Sequence, residues 1–487
     1  MKFISLNPDY TLKPDEGRVL VMASLVGRFQ LKDLEDSFTN VIHPIYAMIL
    51  SFIDGREYDE CVYDASTTLS VPKELIENFI NSLMDNSNRV YLKSKDGISA
   101  FPPYMIISQK EKNIRKRYVP ETFEYTSLDL RTKRHLTPST LTFMFNNICV
   151  TDCIYCYQDK SRKVNCTIPL PRIKELINEA YALHVNTIDV IGGEFFLYKH
   201  WKEVLAELRK FGYNPYLSTK MPLREEDIKI LSELNVCDIQ VSIDTLIEEH
   251  LMQSIGIKEG YTQKMIETLE CLDQYNIPVM IHTVLTRYTD SIADMESIFN
   301  ILKRLKNIKY WHVVKGDKTL YPRADYNTIE ISSIALNEII DYLNAISEQT
   351  DMYIRTPTKR DINNINKESV SNKSQAEFFN RSFCSGLFSS LYILPDGQVT
   401  MCEQLYWNKR FIIGNVIENN ISEIWNSEKV KSLYYIKQSD IPEDSLCHTC
   451  SMFKECRSEK QVCYREIIKK YGTDKWYYPD VNCPFNK

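Results

Sequence analysis

No apolar run in the 487-residue sequence is long enough to span a membrane. The N-terminus, Met1-Lys2-Phe3-Ile4-Ser5, lacks the apolar core of a signal peptide. Both absences point to a cytoplasmic protein with no membrane partner. An excess of positive charge is missing too. Against 59 Lys and Arg stand 65 Asp and Glu, a net charge of −6, which argues against a general nucleic-acid binder. Disulfides are rare in a cytoplasmic chain, so the 14 cysteines read as metal ligands instead. The chain exceeds one ordinary core, and about two to four domains are expected.

What is present centres on Cys149-Val-Thr-Asp-Cys-Ile-Tyr-Cys156, three cysteines at i, i+4 and i+7. A [4Fe–4S] cluster normally takes four thiolates. Three local ones leave an iron open to bind a small molecule. Structural zinc, the alternative, uses four ligands in paired Cys-x2–4-Cys steps, and no fourth Cys or His lies close by. Tyr155 precedes the last cysteine. The arrangement resembles the cluster loop of the radical S-adenosylmethionine (SAM) superfamily. That resemblance implies a cluster on Cys149, Cys153 and Cys156 whose open iron chelates SAM. It also implies reductive cleavage of SAM to a 5′-deoxyadenosyl radical, which abstracts a hydrogen from the substrate.

The chain around this loop alternates strands and helices. Thr140–Phe145 reads as a strand ending just before Cys149. Further strands are expected at Thr187–Ile191, Asn214–Leu217, Asp238–Ser242, Val279–Val284 and Lys309–Val313. Helices are expected at Ile173–Leu183, His200–Phe211, Ile228–Leu234, Tyr261–Tyr275 and Ile292–Leu305. The pattern is an α/β fold with helices outside a parallel sheet. It is similar to the partial (β/α)6 barrel of the radical SAM family, whose active site lies at the C-terminal strand ends. Gly192-Gly193-Glu194 ends the second strand, where glycines let backbone approach a ligand closely. The resemblance makes it the SAM-amine motif, although Phe195 stands where the family has Pro. Ser218 and Thr219 end the third strand and, with Tyr155, are candidate SAM contacts. Val241-Ser-Ile-Asp244 resembles the fourth-strand Ser-x-Asp motif. It offers Ser242 to SAM and Asp244 as a cap for the next turn. His282, Thr283 and His312 lie at or in later strands, as packed side chains or as site residues. Cys61, Cys166, Cys237 and Cys271 have no partners in the pattern and read as structural.

Toward the N-terminus, Tyr10-Thr-Leu-Lys and Val19–Met22 suggest short strands. A helix is expected from Pro44 to a stop at Gly55. A second, opened by Pro72, carries the stripe Leu75, Ile76, Phe79, Ile80 and Leu83, and Arg89–Leu92 reads as a strand. This content resembles the winged-helix domain that binds leader peptides in ribosomal-peptide maturases; the alternative is an accessory domain of another role. Residues 106–136, rich in Lys and Arg, read as a solvated linker.

Residues 330–380 read as a helix, Leu336–Ile346, and then a polar linker or insertion. Asp396-Gly397 marks a hairpin turn. The array Cys384-x12-Gly397-x4-Cys402, then Cys447-x2-Cys450-x5-Cys456, with Cys463 and Cys483 later, closely resembles the SPASM domain. That domain holds two auxiliary [4Fe–4S] clusters in enzymes acting on peptides or proteins. By resemblance, Cys447, Cys450, Cys456 and Cys483 form the outer site. Cys384, Cys402 and Cys463 are left for the inner one. Cys463 departs from the usual spacing. The inner fourth ligand is then an open iron, a substrate thiol or a side chain such as Glu403.

The expected organisation is 1–105 leader-binding, 106–137 linker, 138–330 radical SAM barrel, 331–383 bridge and 384–487 SPASM. The implied function is a peptide maturase with three [4Fe–4S] clusters and SAM. Its partners would be a leader-bearing precursor peptide and a flavodoxin- or ferredoxin-type electron donor. A thioether crosslink is favoured over a carbon–carbon one. A sulfatase-maturing type of enzyme, a peptide epimerase and a catalytically silent leader-binding scaffold are the alternatives.

Overall fold

A computed structural model describes residues 2–24, 39–357 and 375–486. It resolves into two compact units, Met1–Ser139 with Ala182–Thr187, and Thr140–Tyr181 with Ile188–Lys487. The polar stretch after the expected Leu336–Ile346 helix falls largely outside the described residues. Among those described, no helix is long and apolar enough to cross a membrane.

The first unit begins β1 (Phe3–Leu6), β2 (Tyr10–Asp15), β3 (Arg18–Ala23), β4 (Asn40–Ile42), α1 (Pro44–Leu50) and β5 (Asp54–Glu57). It continues α2 (Tyr58–Leu69), α3 (Lys73–Leu83), β6 (Val90–Ser94), β7 (Gly97–Phe101) and β8 (Ile106–Gln109). Strand β1 pairs antiparallel with both β5 and β8, β3 lies between β2 and β4, and β6 and β7 form a hairpin. Helix α1 starts as expected, with Pro44 in its first turn and His43 Nδ1 accepting the Ile45 N–H at 3.1 Å. It stops at Leu50, earlier than the expected Gly55. Gly55 belongs instead to β5, at φ +100°, where a Cβ would come within 1.9 Å of the Asn113 carbonyl. Helix α2 carries few apolar residues and gives no clear stripe in the sequence; it buries Cys61, Val62 and Ala65. Helix α3 buries Ile76, Phe79, Ile80 and Leu83. Leu75, expected in that stripe, is 58% exposed because it falls on the outer flank of the helix.

The basic stretch after β7 is not free chain. Lys110, Lys112, Arg115, Lys116, Arg117 and Arg131 are exposed, but the backbone between them is bound. Arg18, 1% exposed, pairs with Asp15 and donates to the carbonyls of Arg131 and Lys133, and Asp15 accepts the Leu136 N–H at 2.6 Å.

The second unit opens with β9 (Thr140–Met144), α4 (Leu170–Ala182), β10 (Thr187–Ile191), α5 (Trp201–Lys210), β11 (Ser218–Thr219) and α6 (Glu225–Glu233). There follow β12 (Ile239–Ser242), α7 (Glu248–Ile255), α8 (Tyr261–Gln274), β13 (Val279–Leu285), α9 (Ile292–Leu302) and β14 (Ile308–Lys315). After α10 (Tyr326–Ile329) and α11 (Ser333–Ser347), β15 (Tyr353–Arg355) adds a strand that the sequence did not suggest. Strands β11 to β15 form one sheet in chain order, all parallel. Strands β9 and β10 lie in a second sheet, of order β10-β9-β16-β17-β18, with β16 (Ser390–Ile393), β17 (Gln398–Thr400) and β18 (Ile412–Asn415) from the C-terminal region.

The expected Asn214–Leu217 strand does not form; only Ser218 and Thr219 enter the ladder. Asp189 on β10 explains this, because its carboxylate takes the Tyr216 N–H at 2.9 Å, a donor that a ladder would otherwise use. The outer helices are laid down as the periodicity predicts. In α9, Met295, Ile298, Phe299 and Leu302 are buried, and Ser291 and Asp294 form a capping box. Along β13, Val279, Ile281, Thr283 and Leu285 are buried, while Met280, His282 and Val284 are half-buried on the opposite face. Asp396-Gly397 turns β16 into β17, with Gly397 at φ +83°.

Candidate active site

Strand β9 ends at Met144 and delivers the chain to the three-cysteine loop, which has no helix or strand of its own. Its shape comes from side-chain bonds to backbone. Asn147 donates to the Asp159 and Arg162 carbonyls at 2.9 and 2.6 Å and accepts the Val164 N–H at 2.8 Å, closing the loop on itself. Helix α7, which no sequence pattern announced, backs the loop. Its last turn accepts the Asp152 and Ile154 N–H groups through Ile255 O and Ser254 O, at 2.7 and 3.0 Å. Cys153 packs against Leu251, Ile255 and Ile257. Burial pushes the Cys149 thiol up to about 12 and raises that of Cys156, with Lys160 the main opposing influence on both. Such thiols stay protonated until a metal displaces the proton, as iron or zinc does.

The Gly192-Gly193 pair is required by protein backbone. A Cβ on Gly193 would meet the Ile148 carbonyl oxygen at 2.2 Å, and one on Gly192 the Asn146 carbonyl oxygen at 2.7 Å. The glycines press the end of β10 against the start of the cysteine loop. Asn146, missed in the sequence, fastens that join. It donates to Glu194 O at 2.8 Å and accepts the Glu194 and Ile148 N–H groups at 3.1 Å each. The Glu194 carboxylate is 3% exposed. It accepts from Thr219 Oγ1 at 2.8 Å, Lys220 N at 3.2 Å and Phe196 N at 3.3 Å. Burial outweighs those bonds and lifts its pKa to about 7.

Asp244 does not cap a turn. Its carboxylate is buried, accepts the Val284 N–H at 3.1 Å, pairs with Lys220 Nζ at 2.8 Å and takes the Tyr155 hydroxyl. Lys220 also donates to Tyr155 Oη at 2.7 Å. Lys220 was not among the residues the sequence pointed to, because its partners lie too far along the chain for spacing to reveal them. Ser242 accepts from Gln240 at 3.0 Å. Thr283 is fully buried, donating to Ile243 O and accepting from Trp311, which makes it structural. His282 and His312 meet edge to face at 5.5 Å, and burial lowers each to about 4, so both are neutral imidazoles at pH 7.

A cavity of about 470 Å³ collects these groups. Cys149, Cys153, Cys156, Gly192, Gly193 and Glu194 line it, as do Tyr155, Ser218, Thr219, Ser242 and His282. The same cavity is walled by Gln404 and Arg465 from the C-terminal region. Arg465 acts electrostatically on Cys463 and Cys402, donates to Gln404 at 3.0 Å and pairs with Glu466 at 2.5 Å.

Mutual electrostatic influence sorts the C-terminal cysteines into two neighbourhoods. Cys384 and Cys463 each raise the Cys402 thiol, which burial has already pushed up to about 12. Cys447 and Cys450 raise Cys483, which in turn raises Cys456. Cys61, Cys166, Cys237 and Cys271 appear in neither neighbourhood. No three His, Cys, Asp or Glu side chains among the described residues form a group able to hold a single metal ion. The neighbourhoods are therefore relations of proximity between thiols. An all-thiol donor set of this kind suits iron–sulfur clusters. Arg457 beside Cys456 fits an anionic group as well. It is 1% exposed, and its Nε and Nη1 have no hydrogen-bond acceptor among the described residues. Glu403, next to Cys402, is buried and its carboxyl raised, with Arg465 opposing.

Residues 143–295 match the model of the radical SAM superfamily, and residues 384–451 match the SPASM iron–sulfur cluster-binding domain. The sporulation killing factor maturation protein SkfB of Bacillus subtilis (strain 168) is 25% identical over 315 residues, 61% of this chain and 67% of that protein. The antilisterial bacteriocin subtilosin biosynthesis protein AlbA of the same strain is 21% identical over 350 residues, 71% of this chain and 70% of that one. The crystal structure of Streptococcus suis SuiB bound to S-adenosylmethionine superposes with a TM-score of 0.63 at 14% identity, over 98% of this chain and 99% of SuiB. SuiB bound to its precursor peptide SuiA gives the same TM-score at 13% identity.

Proposed function

We propose that the chain is a radical SAM enzyme that crosslinks a ribosomally made precursor peptide, a reading supported by the matches of residues 143–295 to the radical SAM superfamily and of 384–451 to the SPASM domain. A thioether is the favoured product and a carbon–carbon bond the other. One observation carries this reading: a single cavity joins the three-cysteine loop to Gln404 and Arg465, the residues flanking the inner C-terminal cysteines. A substrate lying there would reach both. Relatives named for peptide maturation, and a structure of the same fold holding a precursor peptide, support it.

Cys149, Cys153 and Cys156 hold the SAM cluster in this reading. Gly192, Gly193 and Glu194 place the SAM amine, and Ser218, Thr219, Ser242 and Tyr155 complete its site. Bound there, cluster and SAM supply a 5′-deoxyadenosyl radical to the substrate. The chain itself shapes and dries the pocket. Asn146 and the glycines hold Glu194 in place, and the Tyr155–Lys220–Asp244 network fixes the loop aromatic. Cys384, Cys402 and Cys463 hold an inner auxiliary cluster. Three thiols there would leave a fourth donor position for a soft substrate thiolate, with Glu403 the competing ligand. Cys447, Cys450, Cys456 and Cys483 hold the outer one. The first unit acts as a winged-helix leader-binding domain that captures an extended leader by strand addition. A flavodoxin- or ferredoxin-type protein donates electrons in the cytoplasm.

Reconstituted protein, mixed with SAM, a reductant and a leader-bearing peptide, should release 5′-deoxyadenosine and yield a product two hydrogens lighter. It should contain about twelve irons for three clusters. Replacing Cys149, Cys153 and Cys156 together with Ala should abolish the nucleoside. Its persistence would overturn the site, and its absence from the parent protein would favour a silent scaffold. Thiol alkylation followed by mass spectrometry reads the bond. A product whose cysteines all alkylate rejects the thioether, and an unchanged mass with an inverted residue identifies an epimerase.

A further inference from the structure

Arg381 follows the short helix Gln375–Phe379, and its guanidinium is fixed from several sides. It stacks on the Phe378 ring, with the guanidinium carbon 4.1 Å from the ring centre. Nη1 donates to Phe378 O at 2.9 Å. Nη2 donates to Cys456 O at 2.9 Å and Gln461 O at 2.8 Å, and it also lies 3.4 Å from Cys456 Sγ. Among the described residues these bonds go to carbonyls and to one sulfur, and none to a carboxylate, so no paired anion offsets the guanidinium beside that sulfur. Arg457, the next residue after Cys456, adds a second buried cation, with Nε and Nη1 unclaimed among the described residues. The inner cysteines stand in a different field. Arg465, the cation that acts on Cys463 and Cys402, is paired with Glu466 and lies in the field of the buried Glu403.

We infer that Arg381 sets the reduction potential of the outer auxiliary cluster, holding it above that of the inner one. The inference rests on the reading that Cys447, Cys450, Cys456 and Cys483 ligate a cluster. The physical reason is general. One-electron reduction adds a negative charge to a cluster that is already anionic. A charged N–H···S bond and nearby uncompensated cations stabilise the reduced form more than the oxidised one. Of the two auxiliary sites, the outer one is therefore reduced first.

The test uses full-length reconstituted protein carrying Cys149→Ala, Cys153→Ala and Cys156→Ala, so that only auxiliary signals remain. It is titrated with dithionite and followed by electron paramagnetic resonance. About eight irons and two midpoints are expected, and Cys456→Ser identifies the outer one by perturbing it. Arg381→Met should lower that midpoint while leaving the other unmoved. The reduced-to-oxidised ratio at a fixed potential should fall about tenfold, which is ~59 mV for one electron. Arg381→Gln, which keeps an N–H donor without the charge, should fall between. Unmoved midpoints in Arg381→Met at full iron content overturn the inference. Loss of about four irons in both variants also overturns it, since the residue would then be needed only to build the site. About four irons and one midpoint in the starting protein would instead show that the outer ligand assignment is wrong.

Discussion

Glu194 holds a carboxyl group where burial opposes its charge, at a pKa of about 7 against an ordinary value of 4.5. As pH climbs between those values the unfolded chain releases this proton first, so the group's contribution to stability falls through that window and levels off above about 7. A bound ammonium reverses the preference, because only the carboxylate attracts it. SAM affinity should therefore tighten as pH rises through about 7 and then flatten. In Glu194→Gln, binding should be weaker and lack this step, measured as SAM dissociation constants of the reconstituted protein at several pH values. An unchanged pH profile in the variant would remove Glu194 from the amine site. At this scale the sequence was legible where chemistry is written in contiguous residues, as in the cysteine triplet and Gly192-Gly193-Glu194. It was silent on Asn146, Lys220 and the true partners of Asp244. Those roles come from residues 24 to 89 positions apart in the chain.

Elements were legible where periodicity is long and regular, as in α8, α9 and β13, and poorly where a side chain replaces a ladder bond, as Asp189 does at Tyr216. Helix α7 escaped because its sequence, Glu248–Ile255, buries only Leu251, Ser254 and Ile255. Yet this helix and the Asn147 bonds are what give an irregular loop one shape. Asn147→Ala removes three hydrogen bonds that close residues 159–164 over the loop. Leaving those backbone groups unpaired should cost about 1–3 kcal/mol locally. The expected result is selective: a chelator should strip about four irons faster than from the parent protein, and SAM cleavage should decline in step, while the remaining iron leaves at the parental rate. Equal stripping rates would show that the loop is shaped without Asn147.

On the scale of the whole molecule, the cysteine spacings suggested a SPASM domain over residues 384–487, and the strand order ties its first strand into the sheet of β9. Strand β16 pairs in parallel with β9, Leu391 opposite Leu141 and Ile393 opposite Phe143, and all four side chains are buried. The strand that delivers the three-cysteine loop is thus completed by residues roughly 250 positions later, and no local pattern could have announced it. A chain ending at residue 383 would leave β9 with an open, apolar edge, a template for aggregation. It would also lose Leu391, Ile393, Leu394 and Val399 from the core. Such a truncation should be insoluble or fail to bind SAM. By contrast, Cys447→Ala, Cys450→Ala and Cys456→Ala together keep the β9–β16 pair and remove only an auxiliary cluster. That protein should lose about four irons yet still cleave SAM when reduced. Soluble yield, iron content and 5′-deoxyadenosine release compare the two. A monomeric truncated chain that cleaves SAM at the parental rate would show that the barrel stands without β16.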